Sequence, residues 1–319
     1  MARTRYAPDR GLTARMTLTM FLLGLVFVAF VAALVGILTA TRQSGGVVIF
    51  FPVLLGLGLG IGSLFFSDKI ALRAAGAQVV TPQQAPELHG IIDRVCAQAD
   101  MPKPVVAIAP THMPNAFATG RNSQHAVVCV TRGLLNGQLD REEIEGVLAH
   151  EMSHVAHKDV VVMTIASFLA IIAGLMIRFA FYGQVFGGGR GRNNNSGGQA
   201  ALLMLVVMLV SVVVYAISFL LIRLLSRYRE LAADRSGAQL TGKPSKLASA
   251  LQKVSGQIAA IPTKDLRTHG AAEALNAFYF APALTGGRKG GGLAQMFSTH
   301  PSLEKRLAEL AKLSDQLGR

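Results

Sequence analysis

The sequence predicts a mainly α membrane protein, with four transmembrane helices carrying an α+β polar domain built around a small β-sheet. Three observations lead there. Of 319 residues, 51% are hydrophobic and only 15% charged, whereas soluble domains carry about a quarter charged residues. Mean hydropathy is +0.43. Four stretches are apolar and long enough to cross a bilayer, and two polar blocks with strand and helix patterning lie between and after them.

Residues 16–40 contain no ionisable side chain and as a helix would reach about 37 Å. That is too long for the apolar region of a cleaved signal peptide, and a second apolar segment follows at once, so this one reads as an anchor. Residues 45–66 are also uncharged. Pro52 and the alternating Gly56, Gly58, Gly60 and Gly62 predict a kinked helix packed closely on a neighbour. Residues 160–181 are interrupted by Arg178, near the end where it can snorkel, and residues 200–222 are uncharged. The Gly/Asn-rich stretch between these two segments reads as a flexible turn. The expected organisation is a tail with two spans (1–66), a first polar block (67–159), a membrane hairpin (160–222) and a second polar block (223–319), the two blocks building one domain.

Basic residues set the expected orientation. Arg3, Arg5, Arg10 and Arg15 precede the first span, Lys69 and Arg73 follow the second, and Arg223, Arg227, Arg229 and Arg235 follow the fourth. Opposite them stand Arg42, Arg190 and Arg192. Both termini and both polar blocks are therefore expected on the cytoplasmic side. The net charge of +13 fits this topology and an anionic lipid surface, and no nucleic-acid partner is expected. Cys96 and Cys129 form no CxxC pair and read as buried thiols.

The chemistry centres on residues 140–159, DREEIEGVLAHEMSHVAHKD. Asp140 and Glu143 have capping-box spacing, and Ile144, Val147, Leu148, Met152 and Val155 follow with helical periodicity. On that helix His150-Glu151-Met152-Ser153-His154 is an HExxH motif. Histidines four apart stack on one face and can share one tetrahedral zinc, while Glu151 is placed to act as general base on a metal-associated water. Chance would supply about 0.006 such strings at this composition. Burying two histidines and a glutamate beside Val147 and Val155 without a metal would also be costly. An HExxHxxGxxH continuation is absent, because His157 and Val160 stand at its glycine and third-histidine positions. A glutamate on another helix is the alternative. In RLLSRYRELAADRSGAQL, Arg227, Glu230 and Asp234 share a face. Glu230 then reads as third ligand and Asp234 as acceptor for a ligand histidine N–H, against the plainer reading of an exposed salt-bridge ladder.

Taken in order, NAFATG, HEMSH, the membrane hairpin, RYRELAADRSGA and FSTHPSLEKRL resemble the HtpX-like membrane zinc metalloproteases, relatives of the prenyl-protein CAAX proteases. The resemblance covers nearly the whole chain. It implies a zincin-like protease domain, one Zn2+ per chain on His150, His154 and Glu230, and Glu151 as the base. It also implies a multi-pass protein of the bacterial inner membrane, with its protease domain facing the cytoplasm. Its substrates would be misfolded or damaged membrane proteins or unfolded polypeptide, in quality control and stress response. His157 carries no role in this reading.

PVVAIAP (104–110) and HAVVCVT (125–131) read as strands. Between them Asn115, Ala116, Phe117, Ala118 and Thr119 read as an edge strand to which an extended substrate could add, or as a plain core hairpin. His300-Pro301 precedes an amphipathic helix with Leu303, Leu307, Leu310 and Leu317 on one side. His300 is either an oxyanion stabiliser or an anchor for that helix. Residues 262–295 are a candidate lid. An uninterrupted helix from the motif into the third span would put His154 about 8 Å from the membrane boundary, and Glu230 about 12 Å beyond the fourth span. Three other functions compete, of which a channel or transporter would place ionisable groups inside its spans, where only Arg178 stands, near an end. An intramembrane site-2-type protease needs a later Asp-Gly ligand motif, which the chain lacks. A catalytically silent membrane scaffold would lose the base or a ligand, and all four residues are present.

Overall fold

The computed structural model describes residues 10–41, 46–187, 194–260 and 299–318. In chain order these form α1 (Arg10–Thr41), α2 (Gly46–Ala74), β1 (Gln78–Val79), α3 (Pro86–Ala99), β2 (Val105–Ala109), β3 (Ala116–Thr119), β4 (Val127–Thr131), α4 (Arg132–Leu135), α5 (Arg141–Ala156), α6 (Asp159–Gly187), α7 (Asn194–Thr241) and α8 (Pro244–Ala260), with α9 (Leu303–Gln316) near the end. Two compact units emerge. One comprises Ala14–Ser63 and Val162–Leu225, the other Met1–Thr13, Leu64–Val161 and Ser226–Arg319.

The first unit is helical and apolar. Among the described residues, four helices are long and apolar enough to cross a membrane, and their most apolar windows are only 17–28% buried within the protein. Phe21, Phe50, Leu54, Leu202 and Val213 are more than half exposed, a surface suited to lipid rather than water. Inside, Phe30 and Leu34 pack with Leu169, Ile172 and Met176 and with Leu203 and Val207. Close packing of α2 uses one glycine pair rather than the whole run. A Cβ on Gly56 would lie 3.0 Å from Ile172, and one on Gly60 3.7 Å from Phe168, while Gly58 and Gly62 face open space. Residues four apart share a helix face and those two apart do not.

The second unit holds a four-stranded sheet of order β1-β2-β4-β3, with β2 and β4 parallel and the other pairs antiparallel. Period-two alternation sorts its side chains. Val106, Ala116, Val128 and Val130 face a core built with Ile91, Ile92 and Val95 of α3 and Val147, Leu148 and Met152 of α5. Ala107, Phe117 and Cys129 face the other way, toward Ala71 and Leu72. Both cysteines are buried free thiols, and burial pushes Cys129 up to about 12.

Three expectations change. The helices outrun the apolar stretches: α6 reaches Gly187, and α7 begins at Asn194, inside the stretch read as a turn, and continues to Thr241 because no proline interrupts residues 223–241 and their one glycine, Gly237, is tolerated in the helix interior. The motif helix does not run on into the third span. It ends at Ala156, Lys158 takes φ 56°, and α6 starts afresh at Asp159, so the rise-based distance for His154 does not apply. Helix α9 buries Arg306, Leu310 and Leu313 while Leu317 is 40% exposed, a face rotated from the leucine stripe toward a buried arginine. The candidate lid, 262–295, lies outside the described residues.

Candidate metal centre

Helix α5 begins with the capping box read from the sequence. Asp140 accepts from the Glu143 N–H at 2.8 Å, and the Glu143 carboxylate accepts from the Asp140 N–H at 2.8 Å. Ten residues on, His150 and His154 lie one turn apart with rings at 87° and centroids 4.8 Å apart. Their Nε2 atoms approach to 3.2 Å. From α7, Glu230 brings one carboxylate oxygen 3.5 Å from His154 Nε2 and the other 3.8 Å from His150 Nε2. The approach of α7 depends on Gly237, where a Cβ would sit 2.7 Å from the His150 backbone nitrogen and 2.9 Å from its Cα.

These three residues fit a metal ion. His150 Nδ1 lies 2.9 Å from Asp234 and His154 Nδ1 lies 2.7 Å from Asp159. Carboxylates accept hydrogen bonds, so each Nδ1 carries the proton and each Nε2 presents its lone pair. Two lone pairs facing each other at 3.2 Å, with a carboxylate beside them, repel unless a cation lies among them. Tetrahedral zinc ligands at about 2.0–2.1 Å stand about 3.3 Å apart, close to the spacing seen. Within the described residues, His150, His154 and Glu230 offer ligand atoms all within 4.8 Å of one another. Burial holds His150 below its ordinary value, which keeps it neutral as a ligand must be.

Glu151 is 5% exposed. One of its carboxylate oxygens accepts from the Ala118 N–H at 3.0 Å. Burial, with the Glu230 carboxylate adding to it, pushes the Glu151 carboxyl up to about 8. The Ala118 contact also gives the direction of β3. Asn115 is tied to Thr131 on β4 by hydrogen bonds of 2.8–3.0 Å, so by alternation Ala116 and Ala118 turn their backbone groups away from β4. Of the strand residues, Asn115, Ala116, Phe117 and Thr119 are buried, and Ala118 is half-buried beside Glu151.

His300 Nδ1 lies 3.0 Å from Glu230, the oxygen that also faces His150. Three contributors escaped the sequence reading. Arg306 is 1% exposed and grips Asp234 with two hydrogen bonds of 2.7 and 2.6 Å. Asp159 orients His154 and is itself paired with Arg229. Leucine periodicity pointed to a different face of α9, so it gave no signal for Arg306. Nothing local marked Asp159, because five residues along a continuous helix would carry it away from the His154 ring.

Converging imidazoles and a carboxylate, backed by a buried glutamate, are metallopeptidase chemistry, here built on a chain with four helices of membrane-crossing length. A family model described as Peptidase family M48 matches residues 82–314, and the chain belongs to that family. It is 56% identical to Protease HtpX homolog 1 of Streptomyces coelicolor over 316 residues, covering 99% of this chain and 97% of that protein. It is 48% identical to Protease HtpX homolog of Moorella thermoacetica over 316 residues, covering 99% and 98%. Among solved structures, S. mikatae Ste24p matches with a TM-score of 0.50 at 17% identity, over 95% of this chain and 66% of that one, a likeness of fold. The protein is a membrane metalloprotease.

Proposed function

We propose that this protein is a zinc endopeptidase of the bacterial inner membrane that cleaves misfolded or damaged membrane proteins at the cytoplasmic face, with one zinc per chain held by His150, His154 and Glu230. The observation that carries the reading is the set of three ligand atoms within 4.8 Å, with both Nδ1 atoms already committed to carboxylates.

When bound, zinc supplies the Lewis acidity that activates water and polarises the scissile carbonyl. Glu151 takes the proton of the attacking water and returns it to the leaving amine. Its hydrogen bond from the Ala118 N–H, 3.0 Å long, fixes the side chain and leaves the other oxygen for proton transfer. Asp234 holds the His150 ring in place, and Arg306 holds Asp234. Substrate is read as an extended segment laid along Asn115–Thr119, where the backbone groups of Ala116 and Ala118 face away from β4. His300 is read as a support for the ligand carboxylate, its Nδ1 lying 3.0 Å from Glu230. The cytoplasmic orientation rests on the basic residues flanking the apolar stretches.

The test is metal analysis of the detergent-purified protein together with casein cleavage by wild type and Glu151→Gln. One zinc per chain in both, with cleavage by wild type alone, is the expected result. Equal cleavage by the variant overturns the assignment of the base.

A further inference from the structure

We propose that Asp159, clamped by Arg229, is a positioning residue that sets metal affinity through His154, as Asp234 does through His150 in the reading above, on which this inference rests. Each imidazole has a carboxylate against its Nδ1: His150 Nδ1 lies 2.9 Å from Asp234 and His154 Nδ1 2.7 Å from Asp159. Each carboxylate is gripped in turn by a buried arginine, Arg306 for Asp234 and Arg229 for Asp159. Arg229 is 5% exposed and also donates to the His157 carbonyl at 3.1 Å, so it ties down the segment that delivers Asp159.

Backbone geometry makes that contact possible. On a continuous helix, residues five apart are about 140° apart round the axis and about 7.5 Å along it, too far for Asp159 to meet the His154 ring. Instead α5 stops at Ala156, Lys158 adopts φ 56°, and the chain turns Asp159 back onto the ring. Lysine occupies a left-handed position that favours glycine, an unfavourable conformation whose visible product is this carboxylate–histidine contact. The carboxylate fixes the proton on Nδ1 and raises the basicity of Nε2, the atom aimed at the metal.

The experiment is competitive chelator titration with Zn2+ on the full-length detergent-purified protein, alongside melting of the metal-free forms. Asp159→Ala should weaken zinc binding about ten- to a hundredfold. Asp159→Asn, which keeps an acceptor oxygen without the charge, should fall between it and wild type and serves if the alanine variant fails to fold. Arg229→Gln should move affinity in the same direction. Because the effect acts through His154, the double variant His154→Ala/Asp159→Ala should bind zinc no more weakly than His154→Ala alone. A general structural role would instead add in the double variant and lower the metal-free melting temperature in proportion. Affinity within twofold of wild type for Asp159→Ala, or additivity with His154→Ala, overturns the inference. Should the metal reading itself be wrong, His154→Ala would bind zinc like wild type, a separate signature.

Discussion

At the scale of single residues, the site is a set of buried groups whose charges are set by their neighbours. Glu151 is the base in the proposed mechanism, and Glu151→Gln should retain zinc while losing nearly all turnover, read by casein cleavage at matched metal content. Its carboxyl, pushed up to about 8 by burial in the metal-free protein, gives a second expectation. The folded state holds that proton more tightly than the unfolded chain, whose carboxyl keeps the ordinary glutamate value of 4.5. Metal-free stability therefore falls as pH rises from there through about 8, and levels off above. The chelator-stripped Glu151→Gln protein should escape this fall. Its melting temperature should exceed that of stripped wild type at pH values above the raised value and converge with it in acid. Identical melting temperatures across that range would contradict the burial account.

At the scale of elements, two helices and one edge strand bring the groups together, and Gly237 sets how closely α7 approaches α5. Its missing Cβ would meet the His150 backbone at 2.7–2.9 Å, and backbone cannot give way as a side-chain tip can. Gly237→Ala should displace α7 together with Glu230 and Asp234. The expected outcome is a loss of about 1–3 kcal/mol in stability and weaker zinc binding, measured by melting and chelator titration. Much of this was legible in the sequence because it is local: the Asp140 capping box, the four-residue spacing of His150 and His154, and the apolar strands on either side of Ala116–Thr119. The Asp159 contact was not, because it depends on the helix break at Lys158, and an uninterrupted helix is the default for residues of ordinary propensity. Nor was Arg306 legible. Its partner Asp234 is 72 residues away, and leucine periodicity alone pointed to a different face of α9.

At the scale of the whole molecule, the polar unit is assembled from segments on both sides of Val162–Leu225, so the proposed ligands come from distant parts of the chain. The final segment closes the arrangement, with His300 against Glu230 and Arg306 against both Asp234 and Glu230. Arg306→Ala would strand the buried Asp234 carboxylate, at a cost of about 3–5 kcal/mol, and should loosen His150. Thermal unfolding and zinc titration of that variant check both effects. Family membership, the four membrane-length helices and the convergence of His150, His154 and Glu230 agree on a membrane metalloprotease. In the proposed site, α7 supplies the third ligand, Glu230. The most direct measurement is zinc stoichiometry and chelator-competed affinity of detergent-purified wild type, Glu230→Ala and Asp234→Ala at neutral pH. Wild type should hold one zinc per chain, Glu230→Ala should lose it, and Asp234→Ala should keep it about ten- to a hundredfold more weakly. A Glu230→Ala protein that still holds one zinc as tightly as wild type would contradict the account.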